Sequence, residues 1–201
     1  MLATTVALLL AVGADASAQP PFIVVREALR CASVHDDERP PSDTSSCLRV
    51  PVSAIDPQGQ AVWLVTRVEL PAALTVSRAP IGILVEAIAS AEVYWDGRRI
   101  GSNGVVSAHR AEERPGALVS VTPLWATEAA TGAHALAVRL SSHRGAVRVS
   151  TPMHLVAVGQ IEPLRALVTA PRISVLLAAG ALVLAACYFT AGKSLTSPAL
   201  A

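Results

Sequence analysis

Between residues 62 and 70 the chain places Val62, Leu64, Thr66, Val68 and Leu70 on one side of a strand and Trp63, Val65, Arg67 and Glu69 on the other. This period of two predicts a half-buried strand whose first set faces the core, with Trp63 and Arg67 exposed or half buried. Ile81 to Ile88 is nearly continuous in apolar residues, as expected for a strand in the middle of a sandwich. Ala91 to Gly104 reads as two short strands about Asp96-Gly97, with Tyr94 and Trp95 before the turn and Gly101 and Gly104 marking a second bend or bulge. A type I′ turn needs positive φ at both central residues, and glycine supplies it at little cost.

Further strands are expected at 22–25, 48–52, 118–121 and 131–140, and a last strand or pair at 147–158 is interrupted by Pro152. The first of these would run into a helical turn and cover one edge of the sandwich. Asp56-Pro57-Gln58-Gly59 is a turn by composition, residues 71–80 form a turn with a small apolar plug, and the 123–131 connection has room for one helical turn. Short strands punctuated by Gly and Pro, without a long amphipathic helix or internal repeat in the body, predict an all-β sandwich.

Two terminal segments break this pattern. Residues 1–18 carry an apolar run from Thr4 to Ala14 and then Ala16-Ser17-Ala18, the small-x-small form of a secretory cleavage site. No Lys or Arg precedes the run, so an uncleaved anchor or an upstream start is the alternative to cleavage after Ala18. Residues 173–191 contain no charge between Arg172 and Lys193, a length that spans a bilayer, with Tyr188-Phe189 as an interfacial anchor.

The positive-inside bias is slightly adverse, since Arg165 and Arg172 precede the helix and Lys193 follows it. An export signal sets the orientation instead: a periplasmic domain, one crossing of the bacterial inner membrane, and a cytoplasmic tail at 192–201. The 161–172 segment is either a rigid joint or a simple stalk, with Pro163 and Pro171 expected to end any helix between them. The expected organisation is a signal peptide (1–18), an extension with a disulfide loop (19–48), a sandwich (49–160), a linker (161–172) and a membrane helix (173–191).

The chain of 201 residues is 52% hydrophobic and 15% charged with a formal net charge of +1, which argues against disorder and against nucleic-acid binding through a basic surface. Cys31 and Cys47 enclose a polar loop that has no apolar periodicity to hold it. In an oxidising compartment their bridge would stabilise the fold by about 3 kcal/mol in the chain-entropy model. A redox or metal pair is the rival, but metal spacing is absent. Cys187 falls in the membrane segment.

Several pieces together resemble the galactose-binding-like jelly roll. They are the aromatic strand Val62-Trp63-Leu64-Val65-Thr66-Arg67-Val68-Glu69-Leu70-Pro71, Ile83-Leu84-Val85-Glu86, the hairpin Val93-Tyr94-Trp95-Asp96-Gly97-Arg98-Arg99-Ile100-Gly101, and the stretches 118–123 and 131–140. Asp96 stands where that family usually has Asn, Leu64 where it usually has Tyr, and Leu48 where a Trp often precedes Val-Pro. The resemblance, over residues 49–158, implies a role like that of sugar-binding modules of glycosidases. It equally implies one like the periplasmic input regions of bacterial membrane sensor kinases and diguanylate cyclases.

Chemistry is sparse. His35, His109, His134, His143 and His154 show no metal spacing; Glu112-Glu113 and Asp36-Asp37 are loop pairs expected to diverge into water; and no nucleophile elbow or phosphate loop is visible. No catalysis, metal or cofactor is expected. The candidate ligand-binding residues are Trp95, Arg98 and Arg99 beside the hairpin, with Trp63, His109, Arg110 and Trp125; their chemistry suits anions or sugar hydroxyls. Packing for the aromatics and a solvated face for the arginines is the competing role.

The expected function is a membrane-anchored periplasmic ligand-binding or sensory domain. It would serve a small-molecule or carbohydrate ligand and a separate membrane signalling protein, or be a truncated sensor. The alternatives are an envelope carbohydrate-binding or structural module without signalling, and an assembly domain pairing through a sheet edge.

Overall fold

The computed structural model describes residues 20–33, 39–145 and 148–195, with side chains as far as Tyr188. The expected signal peptide, His35, Asp36-Asp37 and the tail beyond 195 lie outside these residues. The strands are β1 (Phe22–Val24), β2 (Glu27–Ala32), β3 (Leu48–Pro51), β4 (Ala61–Leu70), β5 (Ile81–Ala87), β6 (Ser90–Trp95), β7 (Arg98–Asn103), β8 (Val119–Pro123), β9 (Gly132–Ser141) and β10 (Met153–Gln160). A short helix α1 (Ala72–Val76) follows β4, and a long one, α2 (Ile161–Leu195), follows β10.

The strands form two antiparallel sheets, a four-stranded one in the order β1-β10-β5-β8 and a six-stranded one in the order β3-β2-β4-β9-β6-β7. Their facing sides make the main core. Val62, Leu64, Val68 and Leu70 of β4, with Leu136, Val138 and Leu140 of β9, meet Ile83 and Val85 of β5 and Val156 and Val158 of β10. The alternation in β4 therefore points as its sequence predicts, except that Thr66 is only partly buried. The turn after β6 has φ of 49° at Asp96 and 79° at Gly97, as a type I′ turn requires. Gly101 pairs with Val93 while Arg99 pairs with Tyr94, so Ile100 is the extra residue of a bulge.

Several expectations are corrected. No helical turn follows residue 25: the chain crosses instead from β1, on β10, to β2, which pairs with both β3 and β4. Trp63 is neither exposed nor half exposed but 3% accessible. The last strand begins only at Met153. Pro163 and Pro171 do not stop α2, which is continuous from 161 to 195. Pro163 sits in the first turn, where backbone N–H groups have no intrahelical acceptor to lose, and Pro171 forgoes one internal hydrogen bond in a long helix.

Both outer faces are partly covered. On the four-stranded sheet, Leu164 and Val168 of α2 pack on Leu84 and Ala157. On the six-stranded sheet, the Cys31–Cys47 disulfide, formed as its loop predicts, lies with Trp63, Tyr94 and Ala137. Strand directions give the sandwich two ends. One carries the 96–97 turn, α1 and the 124–131 connection. The other, the loop end, carries the connections before β4, between β5 and β6, between β7 and β8, and after β9.

Candidate functional site

At the loop end a cleft of about 320 Å³ lies among Ile88, Ala89, Ser90, Glu113, Leu118 and Arg144. It exists because β5 stops at Ala87 and the chain turns at once into β6, while the 104–118 loop folds back through a bridge between Val105 and Arg114. Glu113 is 2% accessible. Its carboxylate accepts from Ser141 Oγ at 2.9 Å and from the His143 backbone N–H at 2.7 Å. Ser90 Oγ donates to the Arg114 carbonyl at 2.7 Å, and Arg144 donates to the carbonyls of Arg110 and Ala111. A buried carboxylate keeps further acceptor capacity when each oxygen holds one donor. The cleft thus combines acceptors, hydroxyls and a guanidinium with the apolar side chains of Ile88 and Leu118.

A second polar cluster crosses the outer face of the six-stranded sheet. Cys31, Trp63, Arg139 and Glu92 stand opposite one another on successive strands. Arg139 lies over the Trp63 ring at 6.0 Å and 3.8 Å from Glu92, which also pairs with Arg99 at 3.0 Å and accepts from Tyr94 Oη at 3.3 Å. Burial and the Glu92 charge push the Tyr94 phenol up to about 12. Glu92 and Arg139 are 6% and 3% accessible, so this is an interior ion cluster held between strands.

The third cluster is at the hairpin tip. Trp95 is buried, stacks on His134 at 4.8 Å, and donates from Nε1 to the Glu128 carbonyl at 2.9 Å. Glu128 pairs with Arg98 and accepts from the Trp125 backbone N–H. His134 is 2.7 Å from the Asp96 carboxylate through Nδ1 and 2.8 Å from the Ala130 carbonyl through Nε2. Burial alone would lower the His134 pKa, but those two acceptors outweigh it and hold it above its ordinary value. Asp96 is held below its own value, burial being outweighed by His134 and the Ala135 N–H.

The seven sequence candidates therefore separate. Trp63 and Arg99 join through Glu92 and Arg139; Trp95, Arg98 and Trp125 meet around Glu128; His109 and Arg110 are exposed in the loop beside the cleft. Trp95 turns its ring inward, and Trp125 is 74% exposed. Glu113 was expected in water beside Glu112. It is instead the buried carboxylate of the cleft, and its adjacency to Glu112 carries no periodic signal to tell them apart.

No family model matches the chain, and no curated protein matches it. Solved structures similar to it include a GH2 β-galacturonidase from Eisenbergiella tayi bound to galacturonate, at 12% identity and a TM-score of 0.45, covering 69% of this chain and 24% of that one. A β-glucuronidase from an uncultured Clostridium sp. gives 13% and 0.47, covering 70% and 29%. The Ruminococcus gnavus β-glucuronidase gives 13% and 0.46, covering 69% and 28%. The chain thus spans less than a third of the length of these glycosidases.

Proposed function

We propose that this chain is a galactose-binding-like jelly roll, exported by its first eighteen residues and anchored in the bacterial inner membrane by α2. In this reading the sandwich is periplasmic and non-catalytic, and it serves as the ligand-binding or sensory part of a signalling system. The observation that carries the reading is the loop-end cleft and its link to α2. Ile88, Ala89 and Ser90 line the cleft, and Glu86, two residues before Ile88, holds Arg172 of α2 at 3.1 Å.

The cleft chemistry suits a carbohydrate. Glu113 accepts from sugar hydroxyls, Arg144 donates to a hydroxyl or carboxylate, and Ala89 and Pro115 add apolar wall to the cleft. A ligand that moves residues 88–90 acts on the Glu86–Arg172 pair and so on the tilt of α2. Support for the anchor comes from Val175, Leu176, Leu177, Leu182 and Leu184, each at least 68% exposed on a helix long and apolar enough to cross a membrane. The disulfide fits an oxidising compartment.

The test is a panel of neutral sugars and uronates added to the full chain in nanodiscs, with the melting temperature followed. A saturable rise that disappears in Glu113→Gln and Arg144→Gln is expected. Failure of every sugar to shift the melting, or a shift that survives both substitutions, would refute the assignment of the cleft. Binding that leaves the Glu86–Arg172 region unchanged would favour an envelope carbohydrate-binding module without signalling.

A further inference from the structure

The path of α2 fixes how the sandwich stands relative to a bilayer. The helix starts at the hairpin-tip end, where Ile161 lies against Gly82 at the start of β5. It continues over Leu84 through Leu164 and reaches Glu86 through Arg172. It therefore follows β5 and leaves the sandwich at the loop end. Ile88 lies two residues beyond Glu86, roughly 7 Å at strand rise, which matches about four or five residues of helix. Ile88 is then level with residues 176 and 177, inside the uncharged run that starts at Ile173.

Leu118 is at the same height, because its carbonyl accepts from the Ala87 N–H. Ile88 and Leu118 are 40% and 43% exposed, and both lie at the end that α2 leaves from. Around them Arg110, Arg114 and Arg144 are exposed, while of the nearby acids Glu112 is exposed, Glu113 is buried and Glu86 is paired with Arg172. Arg148 at the same end is paired with Asp56. An apolar pair within a basic collar, beside a membrane-crossing helix, complements the acyl boundary and the phosphates of anionic lipids.

We propose that the loop end of the sandwich rests on the anionic phospholipid headgroups of the bilayer that α2 crosses, with Ile88 and Leu118 at the headgroup–acyl boundary and Arg110 and Arg114 on lipid phosphates. The proposal rests on the reading of α2 as a membrane helix. Its consequence for the cleft is that ligands reach Glu113 and Arg144 along the membrane plane.

The test uses the full chain in a Cys187→Ser background with the native disulfide intact, in nanodiscs with or without phosphatidylglycerol. A bimane label is placed at Leu118→Cys, at Ile88→Cys as a second probe, at Thr127→Cys on the far end, and at Val183→Cys within α2. Headgroup-region nitroxide lipids are expected to quench positions 118 and 88 but not 127. Quenching should be roughly twofold or more stronger with phosphatidylglycerol, a gain lost when Arg110 and Arg114 are both changed to Gln. Equal quenching of 118, 88 and 127 by aqueous iodide, with none by nitroxide lipid, would overturn the docking. If a deep nitroxide still quenches 183, only the docking falls; if 183 is also unquenched, the anchor falls with it.

Discussion

Leu164 offers a direct test of how firmly α2 is joined to the sandwich. Its side chain is fully buried between α2 and the outer face of the four-stranded sheet, against Leu84 and Ala157. Leu→Ala at a buried site costs about 2–5 kcal/mol, the lost transfer energy plus that of the cavity left behind. This cluster lies under a single helix, which can settle toward the sheet, so the lower part of the range applies, about 2–3 kcal/mol. The loss should fall on docking of the 161–172 segment, because the main core between the sheets contains none of these residues. Hydrogen exchange on the full chain in nanodiscs reads it as backbone opening at 161–172 and at β10. Two to three kcal/mol corresponds to about 30- to 150-fold faster exchange there, with β4 and β9 unchanged. Equal acceleration in β4 and β9, or no acceleration anywhere, would refute the picture of a separately docked helix.

Reduction of Cys31–Cys47, or replacement of both by Ser, should lower unfolding free energy by about 3 kcal/mol in urea and alter the near-UV circular dichroism of the adjacent Trp63. The Asp96–His134 pair gives a pH window. Asp96 is depressed below 3.8 and His134 raised above 6.5, so their mutual stabilisation is fully present between those values. It is lost as pH rises through the raised His134 value or falls through the lowered Asp96 value. The urea stability of wild type minus His134→Gln should therefore peak near pH 5, at no more than about 1 kcal/mol because Asp96 is half exposed. Gly101→Ala would place a methyl 2.6 Å from Thr122 Cγ2, so a loss of about 1–3 kcal/mol is expected by thermal melting, partly restored by Thr122→Ala.

Much of the sandwich is legible from local chemistry. The Asp96-Gly97 turn declares itself because two residues decide its backbone, and β4 and β5 follow from alternation and from continuous apolarity. β2 is less legible, since Glu27 and Arg30 interrupt a stretch that becomes a strand only by pairing with β3 and β4 on either side. Trp63 sits on the face that alternation assigns to solvent, and what buries it is distant in sequence: the disulfide, Tyr94 and Arg139. Glu113 was illegible for the same reason, as its partners Ser141 and His143 arrive from the end of β9. Pro163 misleads because the helix starts only two residues before it, in a first turn that tolerates proline. Beyond it, α2 runs on through Pro171 beside the outer face of the four-stranded sheet, where Arg172 meets Glu86 of β5.

Ligand binding in the loop-end cleft is tested most directly by a hydrogen-exchange footprint of the full chain in nanodiscs, with and without the saccharide that most raises its melting temperature. Slower exchange is expected at residues 87–90, 113–118 and 141–144, with a change at 161–172 through the Glu86–Arg172 pair. Protection confined to the hairpin tip around Trp95 and Arg98, or to the Trp63–Arg139 face, would contradict binding in the cleft.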